Sequence, residues 1–144
     1  MNFRFQISDF RFAIGILVLW FFGFAALGCG SGGRVPIRGK VKFKDGSDVK
    51  ALAGYQVTFQ QGNESGIGDI QPDGTFTITT MSPNDGVLPG KQEIIVTPPQ
   101  SADPDKPPPK PVIPKKYGDF GASGLTRDVA PGKGQVELEL ERAP

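Results

Sequence analysis

The chain has 144 residues, with 16 Lys and Arg against 15 Asp and Glu, no His and a single Cys. That length allows one domain with one core behind a short leader. The charge balance gives no basis for nucleic-acid binding, the lone Cys forms no intrachain disulfide, and without His neither a Ser–His nucleophile nor a soft-metal site can be built.

Residues 1–12 carry Arg4 and Arg11 against Asp9. An uncharged apolar run, Ala13–Leu27, follows and ends at Gly28-Cys29. This is the order of a signal peptide, a basic segment before an apolar one. As a helix, fifteen residues reach roughly 23 Å at 1.5 Å each, short of a bilayer core about 30 Å thick. Ala26-Leu27-Gly28-Cys29 resembles the bacterial lipobox, with Gly28 and Cys29 in place and Leu27 one position late. The resemblance implies lipidation at Cys29, the two acyl chains that stable anchoring requires, and a mature chain starting there. An uncleaved membrane anchor and a secreted protein with a free thiol are the alternatives. The leader holds seven of the 11 Phe and the only Trp, so the mature chain is poor in aromatic residues.

Beyond a flexible tether, Gly30–Gly33, the pattern turns to short strands. Ile37–Lys44 sets Val41 and Phe43 against Lys40, Lys42 and Lys44. Asp45-Gly46 is a turn signal that opens a long connection to Gly54. Tyr55–Gln60 alternates Tyr55, Val57 and Phe59 with Gln and Thr. Gln61–Gly66 reads as a loop, Ile67–Gln71 as a short strand, and Pro72-Asp73-Gly74 as a tight turn. Thr75–Thr80 follows as a strand with Phe76 and Ile78 inward. Lys91–Thr97 is the fifth strand. Its consecutive Ile94, Ile95 and Val96 predict cover on both faces, or an inward pair plus an edge contact. Residues 98–114 contain eight prolines, which exclude a central strand and favour polyproline II. Leu125–Val129 and Gln135–Glu141 complete the set.

These elements predict an all-β fold: about seven short antiparallel strands in a two-sheet β-sandwich, behind an N-terminal signal helix. The predicted organisation is a leader over 1–28, the lipidated Cys and tether over 29–34, and the domain over 35–144 with its proline-rich loop at 98–114. The predicted core is Val41, Phe43, Val57, Phe59, Phe76, Ile78, Ile94, Val96, Leu125, Val129, Val136, Leu138 and Leu140.

Gly39-Lys40-Val41, Ala53-Gly54, Val57-Thr58-Phe59, Asp73-Gly74-Thr75-Phe76 and Leu88-Pro89-Gly90-Lys91, in that order, resemble the carboxypeptidase regulatory-like (transthyretin-like) β-sandwich. Ile113-Pro114-Lys115-Lys116-Tyr117, Ser123-Gly124-Leu125-Thr126, Val129 and Pro131-Gly132 are similar to a subgroup of it, the small planctomycete lipoproteins. Gln71 and Gln92 depart from the Asp and Tyr usual in the family. The resemblance implies a prealbumin-like fold and an accessory module that positions or binds rather than catalyses. The histidines and terminal Tyr-Arg-Gly-Ser of the ureide hydrolase that shares this fold are absent.

Candidate chemistry is sparse. The closest acid pairs, Asp45/Asp48, Asp69/Asp73 and Asp103/Asp105, lack the spacing of an EF-hand and read as turn caps. No catalytic residue, metal or cofactor is expected. The binding candidates are Tyr117 and Phe120, beside the proline-rich arm, since polyproline segments dock in aromatic grooves. The competing reading lays the arm across its own sandwich with Tyr117 as an anchor. The expected protein is a non-catalytic lipoprotein facing the periplasm or cell exterior, a structural or protein-binding module. Its expected partners are the membrane, through the lipid, and an envelope protein; a glycan or other envelope polymer is the alternative.

Overall fold

The computed structural model describes residues 33–100 and 110–144. The predicted signal helix, Cys29 and residues 101–109 of the proline-rich arm lie outside them. Among the described residues no helix is long and apolar enough to cross a membrane.

Strand β1 (Arg38–Phe43) buries Val41 and Phe43 and exposes Lys40 and Lys42, as its alternation dictates. Strand β7 (Gln135–Leu140) buries Val136, Leu138 and Leu140 and exposes its glutamates. The two pair in parallel, from Arg38 opposite Gln135 to Phe43 opposite Leu140. This corrects the expectation of a wholly antiparallel fold. Parallel neighbours need a long crossover, and here everything between Phe43 and Gln135 serves as one. The register sets a basic column on β1 beside an acidic column on β7. Lys42 pairs with Glu137, and Lys44 with Glu141 at 2.9 Å. A short strand β4 (Thr75–Thr77) lies antiparallel on the other edge of β1, giving the sheet order β4-β1-β7.

The second sheet holds β2 (Gln56–Gln61), β3 (Glu64–Asp69), β5 (Gly90–Thr97) and β6 (Leu125–Val129), in the antiparallel order β3-β2-β5-β6. The predicted loop Gln61–Gly66 is mostly strand: Gln61 opposes Glu64 across a two-residue turn. β3 turns Gly66 and Gly68 inward and leaves Ile67 41% exposed. A Cβ on Gly68 would collide with the Thr77 carbonyl, so that face has room for backbone only. An inward face made of glycine carries no hydrophobic period to read. On β5, Ile94 and Val96 are buried while Ile95 is half-buried on the outer face. Gln92, also inward, is satisfied by bonds from its amide nitrogen to Gln61 Oε1 (2.9 Å) and the Leu88 carbonyl (2.8 Å).

The predicted strand Thr75–Thr80 is divided between the sheets. Its first part pairs with β1. Two residues later Thr79 and Ile67 exchange backbone hydrogen bonds of 2.8 and 2.9 Å with each other, in the second sheet. One flank is thereby closed by covalent chain. On the other flank, Arg127 of β6 donates to the Glu137 carbonyl of β7 at 2.7 Å. The inward residues of both sheets form a single core in which the Phe59 and Phe76 rings meet at 6.2 Å. Every predicted core residue is buried except Leu125, which packs against the core half-buried. Connections supply the rest: Val35, Ile37, Leu52, Tyr55, Ile70, Val87, Ile113 and Tyr117. Leu52 arrives on a 3-10 turn, Val49–Leu52, whose Asp48 caps the Lys50 N–H at 3.0 Å. Each such aliphatic side chain contributes about 1.5–3 kcal/mol on burial. Two sheets around one core are compatible with a β-sandwich.

Candidate functional site

The proposed lipidation residue, Cys29, lies outside the described residues, but the place where the chain joins the domain is well defined. Arg34, with a side chain 14% exposed, reaches Glu64 Oε2 at 2.7 Å and Asp85 Oδ2 at 3.7 Å. Val35 and Val87 then exchange backbone bonds of 2.7 and 3.1 Å. Asp85 organises the neighbouring loop. Its carboxylate accepts the backbone N–H groups of Thr80 (2.7 Å), Met81 (3.0 Å) and Ser82 (3.1 Å). Those bonds, the Thr80 bond foremost, hold its pKa below the usual carboxylate range. The register places three other connections at this end: the turn after Gln61, the loop before Gly90 and the turn before Gln135.

The opposite ends of the strands hold the arm. It leaves β5 at Pro98 and returns at Lys110, with 101–109 outside the described residues. Both tyrosines of the chain act there. Tyr55, ahead of β2, is buried, and its hydroxyl accepts the Val112 N–H at 3.1 Å. The Val112 carbonyl accepts from Ala143 N at 2.8 Å. Tyr117 sits in a 3-10 turn, Lys115–Gly118, is 3% exposed, and accepts the Glu141 N–H at 3.0 Å. Above it Lys116 lies 5.0 Å from the ring centroid, a favourable cation–π distance. Lys116 also bonds Glu141 Oε2 at 2.6 Å while Lys44 bonds Oε1 at 2.9 Å. The two ammonium groups, Lys116 first, push the Glu141 pKa down to about 2.

Of the two binding candidates, Tyr117 is thus an anchor, with its ring inside, and Phe120 is half-buried beside it in the chain. A flat carbohydrate platform needs exposed ring faces, which Tyr55 and Tyr117 do not offer. What the pinned arm does form is a groove of about 490 Å³, lined by Tyr55, Val96, Pro98, Pro111, Ile113 and Pro114, with the exposed Lys110 and Lys115 also along it. Periodicity missed it because its walls come from a strand end and a proline-rich segment. The available signal was the apolar pair Val112-Ile113 between prolines.

Among the described residues no group of three acids or other metal ligands is placed to hold a metal ion. Asp45 accepts from Ser47 (N at 2.9 Å, Oγ at 2.6 Å) and Asp73 from Thr75 (N at 2.9 Å, Oγ1 at 2.6 Å). Both, like Asp48, cap turns, and the side-chain hydroxyl bonds, reinforced by the backbone N–H groups, lower the pKa of Asp45 and Asp73. No protein-family model, curated protein or solved structure matches the chain.

Proposed function

We propose that this chain is a non-catalytic lipoprotein of the cell envelope, held to the membrane by acylated Cys29. Its domain is a carboxypeptidase regulatory-like β-sandwich of the transthyretin type that binds a segment of another envelope protein. The observation that carries the binding part is the placement of the groove. Two buried tyrosine hydroxyls fasten its wall at Val112 and at Glu141. It lies at the ends of β2 and β5 remote from Arg34, one strand length away, or roughly 20 Å for six residues. The groove and the point where the tether enters therefore occupy opposite ends of the domain. Apolar walls with adjacent lysines suit a peptide with apolar and acidic side chains.

The deciding experiment is intact-mass and N-terminal analysis of the membrane-extracted protein beside a Cys29→Ser variant. The expected mature chain begins at acylated Cys29, and the variant is left unprocessed or released. A chain still starting at Met1, or a soluble one with a free thiol, overturns the reading. For the groove, a photo-crosslinker in place of Lys115 is expected to capture one envelope protein, and Pro111→Asp, at an exposed position of the groove wall, to abolish the capture.

A further inference from the structure

Met81 is the most exposed large apolar side chain among the described residues, at 77%. It is also the only methionine after Met1. Its exposure is imposed by a loop with an ordered backbone. The Asp85 carboxylate takes the N–H groups of Thr80, Met81 and Ser82. Thr80 Oγ1 donates to the Gly86 carbonyl at 2.6 Å, and Asn84 N donates to Thr79 Oγ1 at 3.2 Å. A flexible thioether held outward in this way forgoes the stabilisation that an apolar side chain gains on burial.

The oxygen that receives the Met81 N–H, Asp85 Oδ2, is also the one that faces Arg34. One carboxylate therefore fastens both the exposed methionine and the point where the tether reaches the domain. From Cys29 to Arg34 there are five residues, at most about 18 Å of extended chain. If Cys29 carries acyl chains in a bilayer, the Arg34 end cannot leave the membrane surface by more than that length. We propose that this end of the domain rests on the lipid surface and that Met81 is its apolar point of contact. The inference rests on the lipid-anchor reading. Arg34 is matched by Glu64 and Asp85, so the charges that flank Met81 in this cluster are paired within the domain and the contact at Met81 itself is apolar in character.

The test uses the full acylated chain in phosphatidylcholine vesicles, with a polarity-sensitive dye on Met81→Cys and, separately, on Lys50→Cys. Lys50 is exposed on the turn at the far end, and an acylated Cys29 takes no label. Spin-labelled lipid with its nitroxide near the headgroups is expected to quench the Met81→Cys dye at least about twofold more than the Lys50→Cys dye, matching a shallow insertion of about 5–10 Å. Equal quenching at both sites of a vesicle-bound chain overturns the orientation and leaves the anchor standing. A chain that carries no acyl group and stays off the vesicles overturns both.

Discussion

The hydroxyl of Tyr117 accepts the backbone N–H of Glu141 at 3.0 Å, fastening the turn after the proline-rich arm to the residue that follows the last strand. Tyr55 does the same for Val112 at 3.1 Å. Each bond satisfies a backbone donor that no strand partner reaches, and a buried donor left unpaired is costly. Tyr117→Phe and Tyr55→Phe keep the ring and remove the acceptor. Each is expected to lower stability by about 1 kcal/mol, read as a shift of the urea midpoint with unchanged slope. Tyr55→Phe should also speed hydrogen exchange at Val112; exchange there at the unmodified rate would refute the assigned role.

Among the described residues Glu141 carries the clearest pH signature. Lys116 and Lys44 both bond its carboxylate and lower its pKa from 4.5 to about 2. A folded pKa below the unfolded one means that the unfolded chain binds the extra proton first. The stabilisation is therefore complete above about pH 4.5 and fades as the pH falls toward 2. Because the Glu141 side chain is 42% exposed, salt should weaken it. Unfolding midpoints measured across that window are expected to fall less steeply in Glu141→Gln than in the unmodified chain. Parallel profiles would show that the cluster contributes nothing to acid sensitivity.

Gly39 on β1 lies opposite Phe76 on β4, and a Cβ at Gly39 would enter the Phe76 ring. The ring covers the glycine and reaches Phe59 beyond it. Gly39→Ala is expected to cost about 1–3 kcal/mol through overpacking. In a Phe76→Leu background the same change should cost less, since the two sites share one space. A double-mutant cycle checks this, and strictly additive losses would contradict the packing.

Arg127 caps the Glu137 carbonyl on the open edge of β7. An edge stripped of such cover is a template for pairing with another chain. Arg127→Ala is expected to leave the unfolding midpoint nearly unchanged and to raise concentration-dependent association, measured by sedimentation. Association equal to that of the unmodified chain would make the cap irrelevant to solubility.

Much of this architecture was legible one strand at a time. The alternation in Gln135–Leu140 announces a half-buried strand, and the structure buries its three apolar residues. β1 and β2 were readable for the same reason. β3 was half hidden because its inward positions are Gly66, crowded by the side chains of Ile78, Thr80 and Val87, and Gly68, where the backbone of Thr77 leaves no room for a side chain. Asp73 and Asp45 were readable as turn caps because each bonds a residue two positions on. The groove was not readable, since Tyr55 and Val112 are 57 positions apart.

By itself the sequence determined which side chains turn inward on the alternating strands β1, β2 and β7 and where the Asp-Gly turns fall. Both are local matters, decided by a period of two and by backbone preferences within a few residues. Only the tertiary structure decided which strands are neighbours. Lys44 meets Glu141 across 97 positions, and β1 lies parallel to β7, because that arrangement buries Val41 and Phe43 beside Leu138 and Leu140 while setting lysines against glutamates outside. Such a pairing depends on how every intervening element fills the core, and no window of sequence contains that information.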